Sequence, residues 1–149
     1  MTDKQAISSG SRHASFLQAE ASRPQQSVIV SANAGTGKTK VLTQRVLRLL
    51  LSGADPDTIL CVTFTKAAAA EMRHRLHESL ANWAIWDESK LLSHFYEIGL
   101  ERPTLEQIKI ARNLFAYILD HEDGPRIETV HAFCQSVLSR FPVEAGVPP

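Results

Sequence analysis

The sequence predicts an α/β fold built on a parallel sheet, and three apolar runs are the basis of this prediction. Residues 28–30, 59–64 and 127–130 have the length and the β-branched content of short strands. Apolar residues at helical spacing follow each run. Because a strand, a helix and a second strand in this order form a right-handed parallel unit, the alternation predicts a parallel sheet.

The first part of the chain predicts two helices around one strand. A helix over residues 14–22 ends before Pro24, because proline disfavours helix in the residue that precedes it. Residues 27–32 follow as a strand. A helix then extends from Lys38 to about Ser52, and Gly53 suits its C-terminus because glycine accepts the left-handed conformation.

The remainder predicts two further strands separated by helices. Residues 55–57, Asp-Pro-Asp, form a turn, and the unbroken apolar run 59–64 predicts a strand buried on both faces. Three helical patterns then fill residues 67–124, which we interpret as a helical insertion within the α/β core. A strand at residues 127–130 precedes a last helix. The apolar side of that helix is predicted to be Phe133, Val137, Leu138 and Phe141.

Composition indicates a globular domain that is not bound to a membrane. Of the 149 residues, 44% are hydrophobic and 21% charged, and the formal net charge is zero. The start has no apolar segment of the secretory kind, and no run reaches membrane-spanning length. Residues 1–11 are polar, so we expect a disordered tail. Cys61 and Cys134 fall inside apolar patterns and predict buried free thiols in a reducing cytoplasm.

The segment Ser31–Thr39, SANAGTGKT, predicts a phosphate-binding loop and therefore a P-loop NTPase core, since it lies between a strand and a helix. Gly35 and Gly37 let the backbone turn its N–H groups inward, and the next helix adds a positive dipole end. Lys38 is predicted to reach the β- and γ-phosphates of ATP, and Thr39 to bind Mg²⁺. The predicted nucleotide contacts in this loop are Ala34, Gly35, Thr36, Gly37, Lys38, Thr39 and Lys40, with Lys38 and Thr39 as catalytic candidates.

Thr63, Phe64 and Thr65 stand at the predicted carboxyl end of the second strand, where open α/β sheets bind ligands. A ring between two hydroxyls suits single-stranded nucleic acid, because the ring stacks on a base while the hydroxyls hold phosphates. On a second interpretation Phe64 belongs to the core and the threonines only cap the next helix. The pattern alone leaves both interpretations open.

Three motifs follow one another along the chain: SANAGTGKT at 31–39, TFTKAAAAEM at 63–72 and IETVHAFC at 127–134. In this order they resemble motif I, motif Ia and the next DNA-contact motif of superfamily 1 DNA helicases of the UvrD/Rep/RecB group. The chain is most similar to its AddA-type branch, the helicase-nuclease subunits of bacterial double-strand-break repair, from about Ser15 onwards. The resemblance implies a RecA-like core with ATP and Mg²⁺ as cofactors. The partners that it implies are single- or double-stranded DNA and an AddB-type protein.

The resemblance also implies roles for single residues. Gln18 is at the spacing of the family's upstream glutamine, whose amide reads adenine through paired donor and acceptor bonds; a surface residue of a helix is the alternative. Thr129 and His131 match the family's Thr-x-His, which touches DNA and links it to the nucleotide site. Taken alone, His131 is more simply a structural histidine. The residues on the implied DNA track are Thr63, Phe64, Thr65, Lys66, Thr129 and His131.

Three positions depart from the family patterns. Ala32 replaces the first glycine of the general phosphate-loop pattern, which narrows the family and leaves the site intact. Lys66 stands where UvrD-type members have asparagine, and Ala67 stands where they have lysine. RecB and AddA members vary there, so these two departures bear only on fine contacts.

The resemblance implies an acid that holds Mg²⁺ through water and a glutamate that orients the attacking water. Residues 117–120 and 84–88 have apolar residues before an acid, but the first completes a helix face and the second is a helix-to-helix turn. We therefore expect residues 12–149 to be the N-terminal portion of a helicase ATP-binding domain, truncated before the Walker B motif and inactive alone. A small P-loop kinase and a non-catalytic nucleotide-binding module are the alternatives, and neither explains the second and third motifs.

Overall fold

The computed structural model describes residues 14–31, 33, 35, 37–120, 124–142 and 146. Its helices are α1 (residues 14–21), α2 (Lys38–Leu51), α3 (Lys66–Ile85), α4 (Glu88–Glu97), α5 (Leu105–Asp120) and α6 (Val130–Arg140). Its strands are β1 (Leu60–Thr63) and β2 (Arg126–Thr129), and a 3₁₀ turn spans Pro56–Thr58. Along the chain, α3, α4 and α5 lie between the two strands. No helix in the described ranges is both long and apolar enough to cross a membrane.

The two strands pair in parallel, which confirms the predicted α/β class. The register sets Cys61 opposite Ile127 and Thr63 opposite Thr129. Cys61 and Ile127 are both buried, so this rung of the sheet faces the core. Among the described residues the sheet contains β1 and β2 only.

The strand expected at residues 27–32 is not formed where the structure describes it. Residues 27–31 carry no strand pairing, and Val28, Ile29 and Val30 are 41%, 97% and 42% exposed. A β-branched composition favours an extended chain, but a strand also needs a neighbour for its backbone hydrogen bonds. No described residue supplies that neighbour.

β1 is buried on one face only, which corrects the prediction of burial on both faces. Cys61 is buried, whereas Leu60 and Val62 are 42% and 41% exposed. Successive side chains of a strand point to opposite faces, so Leu60 and Val62 share the face away from the core. An unbroken apolar run therefore shows that a segment can be buried on both faces, and the neighbouring elements decide whether it is.

α3 is the central helix of the core. Thr65 caps its N-terminus by accepting the Ala68 N–H at 3.1 Å, which satisfies one of the backbone donors left without a partner at a helix start. Apolar residues three and four apart then bury one face against α2, α5 and both strands. Those residues are Ala69, Met72, Leu76, Leu80 and Trp83. Each buried side chain of leucine size contributes about 1.5–3 kcal/mol to stability.

Aromatic and polar contacts hold the turn between α3 and α4. The indole Nε1 of the fully buried Trp83 donates to His94 Nδ1 at 2.7 Å, and the Trp83 ring packs edge-on against Phe95. Arg112 of α5 donates to the carbonyl oxygens of Trp83 and Trp86. Because the last carbonyls of a helix lack intrahelical partners, this guanidinium satisfies acceptors that would otherwise be left over at the end of α3.

The burial of α6 and of Cys134 differs from expectation. The predicted apolar side of α6 is exposed, with Val137 at 40%, Leu138 at 45% and Phe141 at 55%. Cys134 is also exposed, whereas Cys61 is buried, and burial raises the pKa of the Cys61 thiol. Helical spacing identifies which side of a helix is apolar, but it does not show whether another element covers that side.

The Trp83–His94 hydrogen bond predicts a loss of stability in mild acid. Burial lowers the pKa of His94 below its ordinary value of 6.5, with Glu97 raising it and Lys40 lowering it. Folded His94 therefore binds its second proton less readily than the unfolded chain, and stability falls as the pH drops through the unfolded value. Protonation at Nδ1 also removes the acceptor of the Trp83 N–H. We expect a lower urea midpoint at about pH 5.5 than at about pH 7.5.

Two glutamine substitutions separate His94 from the other titrating groups. His94→Gln retains a hydrogen-bond acceptor but does not titrate, so its midpoint should change less over the same pH range. His77→Gln, at an exposed position of α3, is the matched control and should keep the wild-type pH dependence. Equal pH dependence in the wild type and His94→Gln would contradict the assignment.

Candidate nucleotide and nucleic-acid sites

The phosphate-loop segment adopts the left-handed conformation at its two described glycines. Gly35 has φ 79° and Gly37 has φ 90°, values that residues with a Cβ rarely adopt. Gly37 is the N-cap of α2; it makes no side-chain cap, and the first turn of α2 contains no acidic residue. The N–H groups at this helix start are therefore suited to an anion, and the helix dipole favours negative charge there.

Lys38 folds back over the loop. Its Nζ donates to the Asn33 carbonyl oxygen at 2.7 Å, and the side chain is exposed. Thr39 is half-buried in the first turn of α2, where its carbonyl accepts the Thr43 hydroxyl at 2.9 Å. Lys40 is exposed. The predicted loop contacts Ala34 and Thr36, with Ala32 and the tail 1–11, lie outside the described residues.

Gln18 of α1 lies beside this loop. A Cβ placed on Gly37 would stand 3.3 Å from Gln18 Nε2, so the amide is close to the N-cap of α2. An open groove of about 490 Å³ lies next to the same region, lined by Lys38, Val41 and the extended segment near Val28. The structure thus brings the upstream glutamine and the loop together, as the family resemblance implies.

Two arginines of α2, which no motif in the sequence singled out, hold α1 in this position. Arg48 donates to the Ala19 carbonyl at 2.9 Å and to the Ser22 hydroxyl at 3.0 Å. Arg45 donates to carbonyl oxygens of the segment 23–26. The available signal in the sequence was two basic residues one turn apart on a helix that is otherwise largely apolar.

Thr63 and Thr129 meet at the carboxyl ends of the paired strands. They are register partners, although three helices separate them in the chain. Thr65 caps α3, and Thr129 caps α6 by accepting the Ala132 N–H at 3.2 Å. Neither helix has an acidic residue in its first turn. Two helix N-termini therefore lie at one edge of the sheet, which favours the binding of phosphate groups there.

Phe64 lies at this edge and is 91% exposed. Its interpretation as a core residue is therefore wrong, whereas the interpretation of a capping threonine is confirmed for Thr65. The Thr63 hydroxyl donates to the Thr65 carbonyl at 2.9 Å, a bond that closes the turn carrying Phe64. Lys66 and His131, one on each helix start, are exposed.

Both candidates for a metal-site acid lie at helix ends. Asp87 is the N-cap of α4, and its hydrogen bond from the Lys90 backbone N–H lowers the pKa of the carboxyl. Asp120 is the last residue of α5. Neither follows a strand. Within the part of the chain that the structure describes, no group of three or more His, Cys, Asp or Glu side chains could hold a metal ion.

The loop before α2 and the capped strand edge occur together in one known family. Residues 14–148 match the family model of the UvrD/REP helicase N-terminal domain. The chain belongs to this family. The match covers the phosphate loop, both strands and all of the helices described above.

Relatives whose names describe one of the subunits of an ATP-dependent helicase/nuclease share this UvrD/REP helicase N-terminal domain sequence. The protein of Latilactobacillus sakei is 35% identical over 136 residues, which cover 91% of this chain and 13% of the relative. Those of Pediococcus pentosaceus and Levilactobacillus brevis are 34% and 39% identical, each over 76% of this chain and 8% of the relative. The chain therefore spans 8% to 13% of the length of these relatives.

The exposure of Phe64 predicts that its side chain contributes little to folding. Phe64→Ala should change the free energy of unfolding by no more than about 0.5 kcal/mol, as exposed substitutions usually do. Phe95→Ala makes the same change at a side chain that is 0% exposed, and it should cost about 3–5 kcal/mol. Urea unfolding followed by circular dichroism measures both. A comparable loss in the two variants would place Phe64 in the core.

Proposed function

We propose that this chain binds Mg²⁺-ATP at the loop before α2 and single-stranded DNA at the carboxyl edge of β1 and β2. In this proposal it is the N-terminal ATP-binding part of a DNA helicase/nuclease of double-strand-break repair and recombination. The observation that carries the DNA assignment is the β1–β2 register, which sets Thr63 opposite Thr129. Family membership and the names of the relatives support the helicase/nuclease assignment.

The loop residues fit a triphosphate. The glycine conformations bring backbone N–H groups to one side, and the start of α2 carries no competing carboxylate. Lys38 donates to the neutral Asn33 carbonyl oxygen. A phosphate oxygen is a stronger acceptor for that ammonium, since charge-assisted hydrogen bonds are about twice as strong as neutral ones. Exchange of the carbonyl for a phosphate is therefore favourable.

Thr39 would contribute one ligand to Mg²⁺. This ion prefers oxygen ligands, retains several waters and is usually held by few protein groups together with substrate phosphates. Thr39 directly follows Lys38 in the first turn of α2, so its hydroxyl is on the residue next to the phosphate-binding amine. Bound Mg²⁺-ATP supplies phosphoryl transfer to water, and the residues present here bind and orient it.

Gln18 would read the base. Its amide offers a donor and an acceptor in one plane, which matches the adenine edge. The amide nitrogen lies close to Gly37, so a base bound there would lie at the N-terminal end of α2 together with its phosphates. Gln18 is therefore the candidate for preference among nucleoside triphosphates.

The DNA site combines one exposed ring with two helix starts. Phe64 can stack on a base of any type, because every base has a π face. Phosphates would lie near the N-termini of α3 and α6, with Lys66 and His131 as the exposed polar side chains of those turns. Contacts of this kind hold the backbone of a strand and do not select a sequence.

We expect this chain by itself to bind ATP without turning it over. Hydrolysis in this class needs an acid that holds the metal through water and a group that orients the attacking water. Asp87 and Asp120 occupy helix ends and offer neither role. In the longer relatives a RecA-like core, with residues 67–124 as its insertion, and an AddB-type partner would complete the motor.

Nucleotide binding at the loop predicts a rise in the unfolding temperature that depends on Lys38. With a non-hydrolysable ATP analogue and Mg²⁺ at about one hundred times the dissociation constant, the gain of about 2.7 kcal/mol corresponds to roughly 5–10 °C. Lys38→Ala should lose most of this rise. Differential scanning calorimetry measures the transition.

Lys66→Ala is the matched control, because Lys66 is an exposed lysine at the first position of another helix. It should keep the nucleotide-dependent rise. A rise that persists in Lys38→Ala would contradict the assignment of the loop. Release of phosphate from ATP, stimulated by oligo(dT) and abolished by Lys38→Ala, would contradict the expected lack of turnover.

The strand edge predicts that Phe64→Ala weakens binding of oligo(dT) about tenfold, since one base stacked on an aromatic ring is worth about 1–3 kcal/mol. Tyr96→Ala removes an aromatic ring that is 67% exposed on α4 and serves as the matched control. Fluorescence anisotropy at fixed low salt measures both affinities. A small kinase would bind ATP and ignore oligo(dT), and a scaffold need bind neither.

A further inference from the structure

We propose that Arg48 is a positioning residue for the nucleotide site, because it fixes Gln18 beside the phosphate loop and so controls the preference for the adenine base. The inference rests on the proposed function, in which the loop binds the phosphates and Gln18 reads the base. Arg48 touches neither group. It acts through α1, which carries Gln18, and through the end of α4.

Hydrophobic packing contributes little to the position of α1. Phe16 and Leu17, its large apolar side chains, are 60% and 53% exposed. A short helix is marginal in water by itself, so its position depends on tertiary contacts. The contacts that the structure shows for α1 are mainly polar, and they are concentrated at its C-terminal end.

Arg48 makes the central polar contact. One nitrogen, Nη1, donates to the Ala19 carbonyl at 2.9 Å, to the Ser22 hydroxyl at 3.0 Å and to the Ile98 carbonyl at 3.3 Å. Ser22 is 0% exposed. Burial also lowers the pKa of the Arg48 guanidinium, which indicates that this group is partly withdrawn from water. Hydrogen bonds in such surroundings hold their geometry more tightly than exposed ones.

Gly99 shows that this joint has no spare room. A Cβ on Gly99 would lie 2.9 Å from Arg48 Nη1 and 3.0 Å from Ala19 Cβ. Gly99 also has φ 82°, a conformation that favours glycine. The end of α4, the side chain of Arg48 and the last turn of α1 therefore fit together closely, and a change in any one must displace another.

Displacement of α1 would change the two halves of the nucleotide site unequally. Gln18 directly precedes Ala19, the residue that Arg48 binds, and its amide lies 3.3 Å from the Cβ position of Gly37. The loop and Lys38 belong to α2 and its N-terminus, which do not depend on α1 for their backbone geometry. Loss of the joint should therefore weaken base recognition and spare phosphate binding.

The experiment compares dissociation constants for ATP, GTP and inorganic tripolyphosphate, each with Mg²⁺, by isothermal titration calorimetry. Arg48→Lys keeps the charge but replaces the planar fork by a point charge. It should lower the ATP-over-GTP preference about tenfold, the loss expected for one or two hydrogen bonds, and leave tripolyphosphate affinity within about twofold. Arg75→Lys, at an exposed arginine bound to Glu71 on α3, is the matched control and should change neither.

A second pair of variants tests the same joint without altering Arg48. Gly99→Ala should reproduce the loss of base preference, because the added methyl group meets Arg48 and Ala19. Gly53→Ala places the same methyl group at φ 85° with nothing within 4 Å, so it carries the same backbone strain without the clash. Gly53→Ala should keep the wild-type preference. Circular dichroism of each variant confirms that it is folded.

The outcomes separate the inference from the proposed function. If the wild type binds neither ATP nor tripolyphosphate, the proposed function fails and the inference fails with it. If it binds both and prefers ATP, but Arg48→Lys and Gly99→Ala keep that preference, only the inference is overturned. In support of it, Gln18→Ala should lower the preference, and Arg48→Lys should add no further loss in that background.

Discussion

The pairing of β1 with β2 is the constraint on which the rest of the structure depends. Its register places Cys61 opposite Ile127, and both side chains are buried beneath α3. Arg73 of α3 donates to the Ile127 carbonyl and so binds the helix to the same rung. A slip of one residue would turn the buried set toward water, so core burial and the position of the threonine edge are fixed together.

Arginine side chains that bind backbone carbonyls recur wherever two elements of this chain join. Arg48 joins α1 and α4 to α2, Arg73 joins β2 to α3, and Arg112 binds the end of α3 to α5. The acceptors are mostly carbonyls near helix ends, which lack intrahelical partners. A guanidinium presents five donors in a rigid plane, so it can satisfy several such acceptors at once and fix their relative positions. The apolar core supplies most of the stabilisation, and these bonds define how the helices are oriented.

The elements that the sequence could predict are those whose signals are local. Thr65 and Gly99 lie within a residue or two of helix boundaries, and the helices begin and end near them. Residues 27–31 show the limit, because strand formation depends on a distant neighbour that composition does not reveal. The exposed side of α6 has the same cause. Arg48 was missed because a charged residue in a helix looks like a solvent-exposed one until its acceptors, far along the chain, are known.

Three helix starts build both candidate sites, and the difference in their caps explains how one short chain can treat two phosphate ligands differently. At α2 the N-cap is Gly37, which makes no side-chain bond, so every N–H of the first turn remains suited to an incoming phosphate. At α3 and α6 the hydroxyls of Thr65 and Thr129 already occupy one N–H each. The DNA edge therefore offers dipole attraction with fewer backbone donors, and Phe64 adds stacking that any base can use. A protein that steps along DNA must release each phosphate after binding it, whereas its nucleotide must be held through the reaction. Under the proposed function, the uncapped helix start suits the tightly held ligand and the capped pair suits the one that is released.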